Sequence, residues 1–324
     1  MQAFLELPEI NHAVRHIIYQ ENKLKLYCYE PTHPKVNMPP LLIVYALVNR
    51  PYILDIQAEC SFLRGLLAQG IPIYLIDWGY PTKEDKNLTL QDYILGLLDR
   101  CVMKVKEHSH ASKINLMGVC QGGVFALCYS ALRADYINKL ITLVTPVDFH
   151  TPDNILSRIV RYVDVNMWVD TLGNIPGALL NQLLLMLKLN RWLNPTWLEL
   201  LQNPYDSTRY QQYHLMEKWL YDTPDLAGET FRQFATALYQ QNQLIKGELM
   251  IGQERVDLKQ LSMPLLNIYA HYDYLVPPSS SQALEHHVGS KNYTAFSLPT
   301  GHIGLFTSKK ARQLPFEIAR WYSH

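Results

Sequence analysis

One turn constrains this chain more than any other feature. In the stretch Leu116-Met-Gly-Val-Cys-Gln-Gly-Gly-Val124, the apolar run 114–119 reads as a buried strand and 122–134 as a helix, with Phe125, Ala126 and Tyr129 on one side. Cys120 stands between them. The spacing Gly118-x-Cys120-x-Gly122 is the nucleophile-elbow pattern with cysteine in place of serine. In such a turn a strained backbone lifts the side chain clear of the sheet edge, and the flanking glycines leave room for it. A helix starting just past the thiol points its free N–H groups at the sulfur, which favours the thiolate. The competing reading of Cys120 is a packed core thiol, because free cysteine is among the most buried residue types. Elbow enzymes carry an acid and then a histidine downstream of the nucleophile, and this chain offers Asp273 and His302 in that order.

The rest of the chain supplies the strands and helices that an elbow needs. Residues 14–29 alternate apolar and polar around Gln20-Glu-Asn22, the mark of a hairpin at a sheet edge. A proline-rich connector, 31–40, leads to Leu41-Leu-Ile-Val-Tyr-Ala46, a continuous apolar run of the kind covered on both faces. The loop after it, Leu47-Val-Asn-Arg-Pro-Tyr52, is where elbow enzymes draw one N–H of the oxyanion hole. Helical spacing marks 58–68 and 89–107; Thr89 caps the second, in which Tyr93, Ile94, Leu97, Leu98, Cys101, Val102 and Val105 form one stripe. Strands are expected at 71–77, 139–145, 264–270 and 293–298, and helices at 280–287 and 308–322. This alternation predicts the α/β class and an α/β-hydrolase fold, a mostly parallel sheet with helices on both faces. From 147 to 255 the pattern changes to short helical stretches carrying Trp168, Trp192, Trp197 and Trp219 among Pro176, Pro195, Pro204 and Pro224. The core is therefore expected in two parts, 1–146 and 256–324, with a mainly helical cap, 147–255, inserted between them.

Composition excludes several classes. The 29 basic and 29 acidic side chains leave no formal net charge, so neither nucleic acid nor an anionic membrane surface is suggested as a partner. The cysteines Cys28, Cys60, Cys101, Cys120 and Cys128 are odd in number and contain no C-x-x-C, as expected of a reducing compartment, and their spacing implies no metal site. The N-terminus lacks a basic region followed by an apolar run. The most apolar segment, 175–189, is interrupted by Pro176, Asn181, Gln182 and Lys188 and is too short to span a bilayer. A cytoplasmic protein without a transmembrane segment is the expectation.

Asp273 and His302 both follow the ends of expected strands, where open α/β sheets place their ligand crevices. Taken alone, Asp273 beside Pro277-Pro278 reads equally as a turn former, and His302 between Gly301 and Gly304 as an ordinary loop histidine. Together with Cys120 they form a nucleophile, acid and base set. Asp77, just past its strand, is the alternative acid. His12, His16, His108, His110, His286 and His287 read as solvated.

Longer stretches carry a resemblance. Val44-Tyr-Ala-Leu-Val-Asn-Arg-Pro-Tyr-Ile-Leu-Asp55, Tyr74-Leu-Ile-Asp-Trp-Gly79, Gly118-Val-Cys-Gln-Gly-Gly123, Val144-Thr-Pro-Val-Asp-Phe149, Asp222-Thr-Pro-Asp225, Gly228-Glu-Thr-Phe-Arg-Gln-Phe234 and Gly301-His-Ile-Gly304 together resemble the polyhydroxyalkanoate synthases. The short length and the Ala-Leu-Val-Asn-Arg wording are most similar to the catalytic subunit of the class III, two-subunit enzymes. The resemblance implies a polymerase that takes 3-hydroxyacyl-CoA, with short-chain 3-hydroxybutyryl-CoA expected, and extends a growing polyester with release of CoA. Matched by motif, it implies Cys120 as the acylated nucleophile, His302 as general base, and Asp273 as the acid that orients His302 or helps to activate the incoming 3-hydroxyl. It further implies the backbone N–H groups of Val48 and Gln121 as the oxyanion hole. No metal and no cofactor is implied, since CoA arrives as part of the substrate. The implied partners are a second synthase subunit and a second copy of the chain, and the implied place is the surface of polyester granules. Two rival readings are a cysteine-elbow hydrolase of the dienelactone hydrolase or thioesterase type and a non-catalytic granule-coating protein. In 175–189, Leu179, Leu180, Leu183, Leu184, Leu187 and Leu189 exceed one core-facing stripe, which suits either a helix buried between cap and core or an apolar interaction surface.

Overall fold

A computed structural model describes residues 13–31, 33, 38–188 and 207–323. Of the residues singled out above, His12, Leu189, Trp192, Pro195, Trp197 and Pro204 lie outside the described residues, as does the side chain of Leu187.

The strands are β1 (His16–Glu21), β2 (Leu24–Tyr29), β3 (Leu41–Val44), β4 (Ile73–Asp77), β5 (Ile114–Val119), β6 (Ile137–Leu143), β7 (Met250–Ile251), β8 (Glu254–Arg255), β9 (Leu265–Ala270) and β10 (Tyr293–Leu298). Eight of them form one sheet in the order β1-β2-β4-β3-β5-β6-β9-β10, and β7 and β8 pair apart from it. The hairpin strands β1 and β2 run antiparallel, β2 meets β4 antiparallel, and every pair from β4 to β10 is parallel. Burial explains the arrangement. All four residues of β3 and all six of β5 are buried, as in strands covered on both faces, whereas no residue of β1 at the edge is buried.

Two apolar layers cover the sheet. On one face, Cys101, Val102 and Val105 of helix α2 (Asp99–Ser109) and Phe125, Leu127 and Tyr129 of helix α3 (Gln121–Leu132) pack against Leu42, Val44 and Leu116. On the other, Phe62, Leu63 and Leu66 of helix α1 (Phe62–Ala68) and Leu314 and Ile318 of the terminal helix Leu314–Tyr322 cover Ile43, Leu75 and Ile141. Each fully buried leucine or isoleucine side chain here contributes roughly 1.5–3 kcal/mol. Helix α3 is buried on nearly all sides, so it has no polar face. The expected straight helix over 89–107 begins instead with a wider π-helical segment, Asp92–Leu98, and leaves Leu97 only half-buried; the stripe expectation assumed an unbroken 3.6-residue period.

After β6 the chain leaves the sheet and returns at β9. Between them lie helices α4 (Ile155–Val160), α5 (Val165–Leu172), α6 (Gly177–Lys188), α7 (Ser207–Tyr221) and α8 (Gly228–Phe234), followed by the β7–β8 hairpin. That hairpin, turning at Gly252 with φ +61°, is too short to leave an alternation legible in the sequence. Trp168 stacks on Phe231, joining α5 to α8, with ring centroids 6.4 Å apart. Phe234 meets Phe125 of α3 at 6.3 Å, which ties this segment to the core helix behind Cys120.

Candidate active site

Cys120 occupies the single residue between β5 and α3, at φ 54° and ψ −122°. A side-chain-bearing residue held there costs on the order of 1–3 kcal/mol, so the surroundings must enforce it. They do so from both sides: the Cys120 N–H donates to Leu143 O at 2.9 Å, and the Cys120 carbonyl accepts from Gly123 N at 2.9 Å. The two glycines after it are required by close approach. A Cβ on Gly122 would stand 2.2 Å from Val44 O, and one on Gly123 would stand 1.8 Å from Thr145 Oγ1. The result is a half-buried thiol at the start of a helix.

Asp273 and His302 converge on this thiol from the turns after β9 and β10. His302 Nδ1 lies 2.6 Å from Asp273 Oδ2, and both side chains are buried. The other carboxylate oxygen of Asp273 accepts from Leu275 N at 2.9 Å and Val276 N at 3.0 Å, which fixes the orientation of the carboxylate. Cys120 lies close enough to the imidazole for its charge to act on the ring. Burial pulls the His302 pKa down, but the charges of Asp273 and Cys120 and the hydrogen bond to Asp273 outweigh it and push it up to about 10. The neighbouring carboxylate thus favours the protonated ring.

The loop after β3 is the third component. Leu47 N donates to Gln121 Oε1 at 3.0 Å, so the side chain of the residue after the nucleophile is bound to the loop that carries Val48. The backbone N–H groups of Val48 and Gln121 donate to no other described residue. Trp78 Nε1 donates to Tyr45 O at 2.9 Å and holds the start of the same loop. From the far side, Trp219 Nε1 donates to Arg50 O at 2.8 Å, and Asn49 Nδ2 donates to Thr223 Oγ1 at 2.8 Å. Tyr52 and Tyr80 both donate to Asp222, at 3.0 and 2.7 Å. The end of α7 and the residues after it are thus fastened to the loop beside the thiol. Tyr45 and Tyr239 also face this centre: burial chiefly, and then the charge of Cys120, raise both hydroxyls above the usual tyrosine range.

The structure brings together Cys120, Asp273 and His302, with Gln121 and the Val48 loop beside them. Asp77, the alternative acid, is instead paired with Arg50 at 2.7 Å. His16, His108, His110 and His286 are exposed. Sequence reading missed the Gln121 side chain, Asn49, Trp219 and Asp222 as supports of the loop. A residue such as Asn49, which adopts φ 60°, carries one local signal of a special position, but its partners lie more than a hundred residues away.

Comparisons with known proteins follow the same lines. A family model described as the alpha/beta hydrolase fold matches residues 39–309, and one described as the N-terminus of poly-beta-hydroxybutyrate polymerase (PhaC) matches residues 7–66. The chain is 48% identical to the poly(3-hydroxyalkanoate) polymerase subunit PhaC of Allochromatium vinosum, across 99% of this chain and 92% of that protein. It is 45% identical to the subunit of the same name from Synechocystis sp., across 97% of this chain and 85% of that one. Among solved structures, the enol-lactonase of Burkholderia xenovorans superimposes with a TM-score of 0.55 at 13% identity, covering 93% of this chain and 97% of the lactonase, which is a likeness of fold. The expected α/β-hydrolase fold is therefore the fold of this chain.

Proposed function

From the premise that this chain belongs to the poly(3-hydroxyalkanoate) polymerase family, as a PhaC subunit and hence an acyltransferase, we propose that it polymerises 3-hydroxyacyl-CoA through a cysteine acyl-enzyme on Cys120. The observation that supports this reading most directly is the buried chain of contacts Asp273–His302–Cys120, 2.6 Å at its first link, at the strained turn. The thiolate attacks the thioester carbonyl, and the carbonyl oxygen draws on the N–H groups of Val48 and Gln121. Donors of this kind are each worth on the order of 3 kcal/mol of barrier. His302, protonated at rest, gives its proton to the departing CoA thiolate as the carbon–sulfur bond breaks. Acylation then removes the negative charge of Cys120, one of the influences that raise the His302 pKa, and returns the ring toward the range of a general base. In that state it takes the proton of an incoming 3-hydroxyl, whose oxygen attacks the acyl-cysteine; the carbon–sulfur bond breaks as the ester forms, and Cys120 leaves as the thiolate beside the protonated ring.

Exchanging one thioester for another is nearly neutral in energy, so the partition between polymer and free acid rests on exclusion of water. The segment 147–255, packed on the loop by Trp219, Thr223 and Asp222, supports the reading of a cap that does this. Short-chain 3-hydroxybutyryl-CoA is the proposed substrate. No described helix is long and apolar enough to cross a membrane. The exposed apolar side chains Ile155, Ile159, Tyr162, Met167 and Leu172 on and between α4 and α5 support contacts with a second copy, a second subunit or the polyester at a granule surface in the cytoplasm. Leu179, Leu180, Leu183 and Leu184 of α6 are half-buried and Met186 is exposed, which suits the same interface reading better than a fully buried helix.

The test is an assay of CoA release and polymer formation from 3-hydroxybutyryl-CoA by the wild type and by Cys120→Ser. The variant should fold and lose nearly all turnover, because a serine alkoxide is far harder to form than a thiolate. Wild-type-like turnover in Cys120→Ser removes Cys120 from the reaction, and accumulation of free hydroxy acid by the wild type favours a hydrolase.

A further inference from the structure

Away from the catalytic centre, three donor side chains meet at the antiparallel edge of the sheet. In the β1–β2 pair His16 stands directly opposite Cys28, which puts both side chains on one face. Glu30, two residues past Cys28, returns to the same face. The ligand atoms of His16, Cys28 and Glu30 all lie within 4.8 Å of one another. His16 and Glu30 are exposed and make no hydrogen bond or ion pair with another described residue, so no described side chain competes for their donor atoms. Behind them is a polar second layer. Tyr74, opposite Cys28 in the β2–β4 pair, places its hydroxyl 2.9 Å from His108 Nδ1, and the His108 ring stands 6.0 Å from that of His16.

We propose that His16, Cys28 and Glu30 bind a zinc ion at this edge, with water in the fourth position. Imidazole, thiolate and carboxylate together form the borderline donor set that suits zinc and disfavours calcium and magnesium, which prefer oxygen alone. Bonds of about 2.0–2.3 Å to a tetrahedral ion place ligand atoms roughly 3.2–3.8 Å apart. Rotamer changes in the exposed His16 and Glu30 close the present separation, and the buried Cys28 need not move. Binding expels the Cys28 S–H proton to solvent and leaves a thiolate ligand.

The site is distinct from the catalytic one. Cys28 pairs with Tyr74 near the start of β4, so the trio lies at the N-terminal end of the parallel strands, opposite the end that carries Cys120, Asp273 and His302. Its role is structural: the ion adds a tie between the exposed edge strand β1 and β2 to the one that Arg15 makes beside it, donating to the Tyr29 hydroxyl at 3.1 Å.

The experiment uses the full chain stripped with chelator, titrated with zinc against a chromophoric competitor and, separately, with cobalt(II). One zinc per chain should bind, cobalt should give a thiolate charge-transfer absorption, and zinc should raise the melting temperature. His16→Ala and Glu30→Gln, both at exposed positions that leave the fold intact, should each weaken zinc binding at least about tenfold without changing the polymerase rate. Cys28→Ser should abolish the cobalt charge-transfer absorption. The proposal is overturned if the wild type binds no stoichiometric zinc, if His16→Ala and Glu30→Gln bind as the wild type does, or if the cobalt signal survives Cys28→Ser and disappears in Cys120→Ser.

Discussion

Replacing Asp273 by asparagine separates the two proton transfers of the proposed reaction. Asp273 Oδ1 accepts from Leu275 N at 2.9 Å and Val276 N at 3.0 Å, while Oδ2 faces His302 Nδ1 at 2.6 Å. An asparagine must keep its carbonyl oxygen toward the two backbone donors, because an amide nitrogen cannot accept from them, and so it turns its NH2 toward the imidazole. The ring then presents Nδ1 as an acceptor and carries its proton on Nε2, the nitrogen on the Cys120 side. In that tautomer it cannot take a proton from a substrate hydroxyl. The same tautomer error in a serine protease triad costs about 10⁴-fold, roughly 5.5 kcal/mol of barrier, and a comparable loss is expected in elongation. Acylation asks less of the ring. The thiol, far more acidic than an alcohol, loses its proton to solvent, and the Nε2–H hydrogen-bonds the resulting thiolate. Solvent in place of His302 protonates the departing CoA thiolate, so one round persists. Rapid-quench measurement with 3-hydroxybutyryl-CoA should therefore show one CoA released per Asp273→Asn chain, followed by near silence. His302→Gln, which cannot hold the thiol proton at all, should show no burst. An Asp273→Asn enzyme that elongates within about tenfold of wild type, or that loses its burst as completely as His302→Gln, refutes this division of roles.

Three further outcomes follow from contacts around the same centre. Gln121→Leu removes the acceptor for the buried Leu47 N–H, which should cost about 1–3 kcal/mol of stability by denaturant unfolding; through the displaced Val48 loop it should also lower kcat by up to about 10²-fold with KM little changed. Unaltered kcat at reduced stability would make Gln121 a packing residue alone. The His302 pKa is raised from its ordinary 6.5 to about 10, so its contribution to stability is fully present below pH 6.5 and is lost as the pH rises through 10. The melting-temperature gap between wild type and His302→Gln should accordingly shrink across that window, and a gap that widens contradicts the assignment. Asn49→Ala cuts the bond to Thr223 and leaves alanine at φ 60°, so it should loosen the cap and raise the ratio of free hydroxy acid to polymer, measured by chromatography of the products. An unchanged ratio would separate the cap from water exclusion.

Much of the fold is legible in the sequence because its determinants are local. Leu41-Leu-Ile-Val44 and the run 114–119 carry no polar alternation, and strands of that kind have nowhere to sit except the middle of a covered sheet, where β3 and β5 lie. The alternation in 14–29 likewise fits only a half-exposed hairpin, and β1 and β2 occupy the sheet edge. What escapes is phase within a helix. Tyr93, Ile94 and Leu98 are buried as the stripe requires, but the π-helical winding of Asp92–Leu98 shifts Leu97 partly out, and no residue there signals the change of pitch.

The site divides in the same way, and the division says where a reading of residues stops. Gly122 and Gly123 betray the elbow because a backbone that passes 2.2 Å from a phantom Cβ admits no other residue, so the constraint is written at the position itself. Asp273 and His302 are visible because they follow strand ends. Gln121 is different: its backbone belongs to the elbow pattern, but its side chain works on Leu47, 74 residues earlier, and any residue able to accept one hydrogen bond there would look the same in sequence. His16 and Cys28 are 12 residues apart, a spacing that matches no compact ligand motif, and become neighbours only through the antiparallel register of β1 and β2. A function that depends on strain at one residue can be read from that residue, whereas one that depends on two side chains meeting across strands is set by the pairing. Such pairs therefore become visible only when register is known, and the supports of the oxyanion loop and the metal trio are both of this kind.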